Sequence, residues 1–555
     1  MFGRRPLVVA LSVALAAHGI KLPFALDWLY PAASQGLSSE VVGHKIAVIG
    51  AGAGGSSAAW WISKAKARSG VSVQVDVYER ENYIGGRSTV VYPYNDTSLD
   101  PIELGASIFV QANKNMWRAT QEFNLSKYNF DDEDGAVGFW DGEQFVFTMN
   151  ESKGWLGWFD SVKAVWRYGL SPLKAKRLVS TMLDTFMSLY SPDSPSWSNL
   201  TSLAGDLGWT DLIARSSAEY LDLEGVSRKF SREVIEAATR VNYGQNLDEI
   251  HALEGFCSMA ATGASSVKGG NFQVFQHFLA RSGAHLHLST QVLGISEKQG
   301  SWTIRTSASN EAKVYNDVII AAPFHSTGIS VETASGTFSP DTLSYIPPPQ
   351  PYVHLHVTLL TTTSPQPSPE YFGLKTGAKV PDAILTTYEG VRNGGKEPEF
   401  NSLTYHGPIA PGREEYVVKI FSKEALADEW LSKVFNGKVG WVFRKEWDAY
   451  PKLPPTTTFP PVILAPGLYY VNAFEPFIST METETISSRN IVDLIFRERF
   501  RSDICGNSML EPETSAGDDG NEFGNDAQSV LKTEKIKEKS SKQSADEDFV
   551  LGWDC

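Results

Sequence analysis

Cysteine is scarce: three in 555 residues, at Cys257, Cys505 and Cys555. That is too few for a disulfide framework, and the spacing matches no metal-ligand pattern. Cys555 is the last residue and so not a prenylation box, where the cysteine stands fourth from the end. Positive charge is also in deficit, with 49 Lys and Arg against 64 Asp and Glu, net −15. This argues against nucleic acid or an anionic membrane as a partner. The deficit is partly local, because residues 501–555 carry 13 acidic and 6 basic side chains and leave a mildly acidic body. No repeat at a fixed period stands out. What is present, 42% hydrophobic and 20% charged residues, suits a soluble globular chain with a sizeable core. Its length allows two domains or one large discontinuous one.

The N-terminus has the form of a secretory signal, expected over about residues 1–30. Arg4 and Arg5 precede the apolar run LVVALSVALAA (residues 7–17), followed by small residues in PFALD and PAASQ. The run is shorter than the roughly 20 residues of a membrane span, so a signal anchor is the second reading and no transmembrane helix is expected in the mature chain. Sequons at Asn95, Asn124, Asn150 and Asn199 agree with passage through a secretory lumen, as glycosylation acceptors. From Asp503 onward the chain is rich in Ser, Lys, Asp and Glu. This composition predicts an acidic disordered tail over 503–555, whose loss should leave folding intact.

Between these ends the order of elements is that of an α/β protein. HKIAVIGAG reads as a buried strand, GGSSAAWWISKAKARSG as a helix closed by Gly70, and VSVQVDVYERE as a second strand with period-two alternation. Helices are expected over SREVIEAATRVNYG, FQVFQHFLARSG and METETISSRNIVDLIFRERF, with one strand around HLHLSTQVLGI and one in DVIIAAP. Residues 345–465, rich in Pro and in Thr/Tyr/Val runs, suit a β-rich lobe.

Gly50, Gly52 and Gly55 stand in G-x-G-x-x-G register between the first strand and its helix. Such a turn is tight, lets backbone approach a pyrophosphate, and packs the helix close to the strand with its N–H groups facing the phosphates. Glu79, ending the second strand, is suited to ribose hydroxyls, with Arg80 beside it. The stretch RENYIGGRS then places Gly85 and Gly86 before Arg87.

This glycine-glycine-arginine extension resembles that of the FAD-binding amine-oxidase-like superfamily, in which the arginine lies along the pyrophosphate. IELGASIFV resembles the segment passing the flavin ring, with small residues Gly105, Ala106 and Ser107. Val292 matches the position meeting the adenine through its backbone. YYVNAFEPFISTMETETISSRN resembles the final flavin motif, which implies Glu475 near the ribityl–phosphate region and Met481 with its N–H toward the pyrimidine end. Ala473 departs from the usual glycine there. The implied cofactor is FAD, and the implied fold a Rossmann-type FAD domain (45–130, 235–330, 465–500) with a discontinuous α+β substrate domain (131–234, 331–464).

Narrower stretches, above all RVNYGQNLDEIHALEGFCSMA (residues 240–260), resemble the prenylcysteine oxidase (prenylcysteine lyase) family from about Lys45 to Phe500. The resemblance implies a luminal thioether oxidase of the lysosome or vacuole, or secreted, acting on prenylcysteine with molecular oxygen as acceptor. Flavin N5 would take a hydride from the prenyl carbon on sulfur; water would add, and the hemithioacetal would collapse to cysteine and a prenyl aldehyde, with hydrogen peroxide formed on reoxidation. No acid or nucleophile is obligatory when the cofactor performs the hard step, so the catalytic side chains stay open. Asn242 and Tyr243 are candidates to shape the substrate site, and structural hydrogen bonds explain them equally well. An amine or polyamine oxidase, and a non-catalytic prenyl-binding protein of the GDP-dissociation-inhibitor type, are the alternatives.

Other features are read conservatively. Trp155, Trp158, Phe159, Val162 and Trp166 form a helical stripe that could line a prenyl tunnel or touch a membrane, but such a stripe is more often core. The pairs His285/His287 and His354/His356 lack a visible third ligand and carboxylate support, so no metal is expected. Cys257 reads as inert core.

Overall fold

The computed structural model describes residues 43–130, 135–149, 166–261, 263–309, 311–333, 336–337, 346–509 and 549–555. The signal expected at residues 1–30, Asn150, and all of the Trp stripe except Trp166 lie outside them. Trp166 is 89% exposed, which departs from a core reading at that position. Among the described residues, no helix is long and apolar enough to cross a membrane.

The glycine turn joins strand β1 (His44–Ile49) to helix α1 (Ala53–Ser69), and Gly70, in the left-handed region at φ 71°, ends the helix before β2 (Val73–Tyr78). Later chain completes the layer: α2 (Phe272–Ser282), β3 (His285–His287), β4 (Asp317–Ile320), β5 (Ile463–Ala465), β6 (Leu468–Tyr470) and α3 (Met481–Phe500). The sheet order is β5-β6-β4-β1-β2-β3, parallel except for β5. Ile46, Ala47 and Val48 are wholly buried because helices cover both faces of such a sheet. α1 and α3 cross at close range: Ser488 Oγ donates to the Gly54 carbonyl and Trp61 Nε1 to that of Thr485.

A seven-stranded sheet forms the second layer, in the order Val439–Pro451, Tyr352–Thr362, Tyr416–Ser422, Ser402–Pro408, Ala383–Thr386, Val137–Trp140, Phe145–Met149. It draws on chain before and after the helical stretch Ser171–Met259.

Three expectations need correction. HLHLSTQVLGI is not one strand. It breaks at Ser289, whose φ of 51° is left-handed, into β3 and a strand Val292–Lys298 that belongs to a different, five-stranded sheet. The helix over SREVIEAATRVNYG opens as a π turn, Ser231–Ile235, before its α-helical part, Glu236–Tyr243.

The third correction concerns the cysteines and the C-terminus. Cys505 and Cys555 form a disulfide, and residues 549–555 are packed rather than disordered. The Trp553 ring lies 5.5 Å from both Trp60 and Trp61 and contacts Phe278 and Phe123. Leu551 N–H donates to Tyr190 O, while Arg68 and Arg489 donate to the Gly552 and Leu551 carbonyls. Val550, Leu551 and Trp553 are apolar residues after a polar stretch, and Trp553 covers aromatic surface on α1 and α2.

Candidate functional site

A cavity of about 720 Å³ opens outside the carboxyl ends of β1, β2 and β4, at Ile49, Tyr78 and Ala321. This is where strand order reverses and where open α/β sheets bind ligands. The glycine turn forms its floor. Gly50 has φ +108°, and a Cβ there would sit 2.4 Å from the Ala321 carbonyl. Gly52 caps α1, whose first turn holds no side-chain cap and no acidic residue, so its N–H groups face the cavity undiluted. Gly86 crosses over Gly52, where a Cβ would meet the Gly52 Cα at 3.2 Å. Gly55 does not line the cavity. A Cβ on it would lie 1.9 Å from the Gly50 carbonyl, so its absence is what lets α1 pack on β1.

Glu79 ends β2 on the cavity wall, 8% exposed. Its carboxylate accepts from the N–H groups of Ala51 (2.8 Å) and Glu81 (2.9 Å), and burial raises its pKa. Arg80 also lines the cavity and donates to the Ser326 carbonyl. Arg87 donates to the Ala449 carbonyl and to the Glu475 carboxylate, which also accepts from Tyr352. Burial works against the Arg87 charge, but Glu475 outweighs it and holds the guanidinium protonated. Asn472 Oδ1 is buried with no protein partner on the same wall. Val292 and Met481, at the heads of their strand and helix, complete this part.

These residues fit FAD. The uncapped helix N-terminus and Arg87 form an anion cradle, Glu79 offers acceptors, and side chains are missing where a pyrophosphate must approach.

The cavity continues past Gly105, Ala106 and Ser107. Ala106 has φ +52°, a costly conformation for a residue with a Cβ. Asn271 holds it by donating to its carbonyl. Gly105 lies against Trp447, where a Cβ would be 2.9 Å from the indole. Of the two substrate-site candidates, Asn242 donates to the Ser258 carbonyl, and Tyr243 packs edge-on to Tyr450. Both line the cavity. Their neighbours are structural: buried Arg240 bonds Thr386, Asn246 and Asn401, and Gln245 bonds the backbone at Pro451 and Leu453. The motif thus fastens the helical layer to the second sheet and presents two side chains to the cavity. Cys257 also lines it, and burial pushes its thiol pKa up.

Sequence reasoning missed Lys419. It is 7% exposed, lines the cavity, and donates to Ser107 Oγ (2.9 Å) and the Glu103 carbonyl (2.7 Å). Burial pushes its pKa down to about 8, although Glu103 partly offsets the shift. A lysine inside the apolar run YVVKIF was the available signal. The same cavity is also lined by the apolar side chains of Phe109, Phe130, Met182, Leu183 and Phe186.

Fold and cavity together define an FAD-dependent oxidoreductase built like the amine oxidases. A putrescine oxidase structure superposes with a TM-score of 0.53 at 14% identity, over 82% of this chain and all of that one. A fatty acid isomerase from P. acnes gives 0.53 at 14%, covering 83% and 99%. Residues 48–123 match the NAD(P)-binding Rossmann-like domain. Residues 150–504 match the prenylcysteine lyase model, and the chain belongs to that family. It is 29% identical to farnesylcysteine lyase of Arabidopsis thaliana over 92% of this chain and 98% of that protein. Against prenylcysteine oxidase 1 of Homo sapiens it is 31% identical, covering 83% and 90%.

Proposed function

We propose that this chain oxidatively cleaves prenylcysteine to cysteine, a prenyl aldehyde and hydrogen peroxide. The observation that carries the reading is one cavity lined both by the glycine cradle and by apolar side chains. Bound FAD supplies the two-electron oxidation of the carbon attached to sulfur and returns the electrons to oxygen. The chain's own residues bind and orient. The wall of Met182, Leu183 and Phe186 buries the isoprenoid, worth roughly 0.8 kcal/mol per methylene-sized group removed from water. Lys419, anchored on Ser107, orders the water that adds to the oxidised carbon and takes up its proton, a role its lowered pKa suits.

The setting is a secretory lumen, ending in a lysosome or vacuole or outside the cell. The Cys505–Cys555 disulfide supports it, since such bonds persist in oxidising compartments. So do the exposed sequon residues Asn95, Asn124 and Asn199. Asn199 keeps its side-chain oxygen on Ser202 N–H as a helix cap, leaving its nitrogen free for a glycan.

The test is anaerobic mixing of the purified holoenzyme with farnesylcysteine while following the visible flavin band. Bleaching that recovers on admitting air supports the reading. A yellow protein that bleaches only with amines overturns it in favour of amine oxidation, and a colourless protein favours prenyl binding without catalysis.

A further inference from the structure

The HLHV motif was set aside for want of a third ligand and carboxylate support. The fold supplies both. The strands Tyr352–Thr362 and Val439–Pro451 are antiparallel neighbours, with His354 opposite Asp448 and His356 opposite Glu446. All four side chains stand on one face, and the irregularity between Val353 and His354, with Ala449 the extra residue on Val439–Pro451, sets which carboxylates face the motif. Ligand atoms of His354, His356 and Glu446 lie within 4.8 Å of one another. His354 Nδ1 faces Asp448 Oδ1 at 3.2 Å. With Nδ1–H donating to that carboxylate, Nε2 is the ring atom that would offer a lone pair.

We propose that His354, His356 and Glu446 bind a divalent cation of the zinc class. Two imidazoles and one carboxylate, with water in a fourth position, are the donor set of open tetrahedral zinc sites. Asp448 takes the part of the carboxylate that fixes a ligating histidine's tautomer and orientation. The other His-Leu-His motif is a built-in contrast. His285 and His287 also face a carboxylate, Asp76. There the place of a cation is taken by Lys313, 4.0 Å from Asp76, while Tyr315 donates to the same carboxylate. On the strand of Glu446 and Asp448, Arg444 stands opposite Thr358 and pairs with Asp428 and the Leu426 carbonyl.

The ion ties the sheet's edge strand to its neighbour at the rim of the cavity. Tyr352, on the same strand face, lines the cavity, as does Asp448. A rise of about 3.3 Å per residue puts His354 roughly 7 Å along the strand from Tyr352. The ion would therefore stand at the rim of the cavity.

The test titrates FAD-loaded protein with zinc chloride at pH 7 in a non-chelating buffer, by calorimetry and by metal analysis after dialysis. One zinc per chain is expected. The double variant His354→Ala/His356→Ala should bind none at that site, and Asp448→Asn should bind about 10- to 100-fold more weakly. His285→Ala/His287→Ala should bind as the parent does. Flavin content and zinc-free Tm of each variant establish that it is folded. The proposal falls if the parent takes up no zinc, if the His354/His356 double variant retains the site, or if the His285/His287 variant loses it.

Discussion

Breaking the Cys505–Cys555 bond should loosen the wall behind the flavin cradle. The bond closes a loop of 50 residues, for which chain entropy gives about 4 kcal/mol of stabilisation. What it secures is larger than the bond. Arg489, 4% exposed, donates to the Leu551 carbonyl at 3.0 Å, and losing a buried partner of a charged group costs about 1.5–3 kcal/mol. Trp553 packs tilted or edge-on against Trp60 and Trp61, on the helix that follows the glycine turn, and against Phe278 on α2. Removing a large buried aromatic costs about 3–5 kcal/mol, and the partial exposure of Trp553 places it at the lower end. A flavoprotein of this size does not unfold in one step, so the comparison is made in Tm, by flavin fluorescence with and without reductant. The parent should lose several degrees on reduction. Cys555→Ser should start at the lower value and ignore reductant, and deletion of residues 549–555 should lower Tm further. If all four preparations unfold together, the clasp contributes nothing and the reasoning is wrong.

Gly50→Ala adds a Cβ 2.4 Å from the Ala321 carbonyl at a φ only glycine adopts readily, and the purified variant should be colourless, read as the ratio of flavin to protein absorbance. Lys419→Met should leave flavin content and KM for prenylcysteine near the parent values while kcat falls about 100-fold, within the range for lost proton transfer; an unchanged kcat would remove Lys419 from the mechanism. Stability should fall as pH rises from about 6.5 to about 8. Burial pushes Glu254 up to about 8 and Glu482 up to about 7, so between their unfolded values near 4.5 and these the native chain holds protons the unfolded chain has lost, and stability falls as pH rises toward 8. His251, pushed down to about 4 by burial, works in the opposite sense below about pH 6.5, where the unfolded chain takes up a proton that the native chain refuses. A Tm that climbs from pH 6.5 to 8 would contradict this.

The β1-α1-β2 unit was legible because its determinants are local: an apolar strand, glycines at fixed offsets, and a helix stopped by Gly70. The other cavity segments were legible through resemblance. What stayed hidden depends on contacts between distant chain. The break at Ser289 requires a left-handed residue that is not glycine, which no composition rule marks. Cys505 and Cys555 flank a polar stretch, and what seats Cys555 beside Cys505 is the packing of Trp553 on aromatic surface of α1 and α2. The carboxylates opposite His354 and His356 come from a strand some 90 residues further on, and a register shift at Val353 decides which of them face the motif.

Because Cys505 is bonded to Cys555, the acidic stretch between them is closed into a ring. A protease that cuts the chain once within that ring yields two polypeptides that remain one molecule: a single band without reductant and two with it. The smaller piece carries Trp553 and stays seated on α1. A single cut there therefore leaves the fold in place.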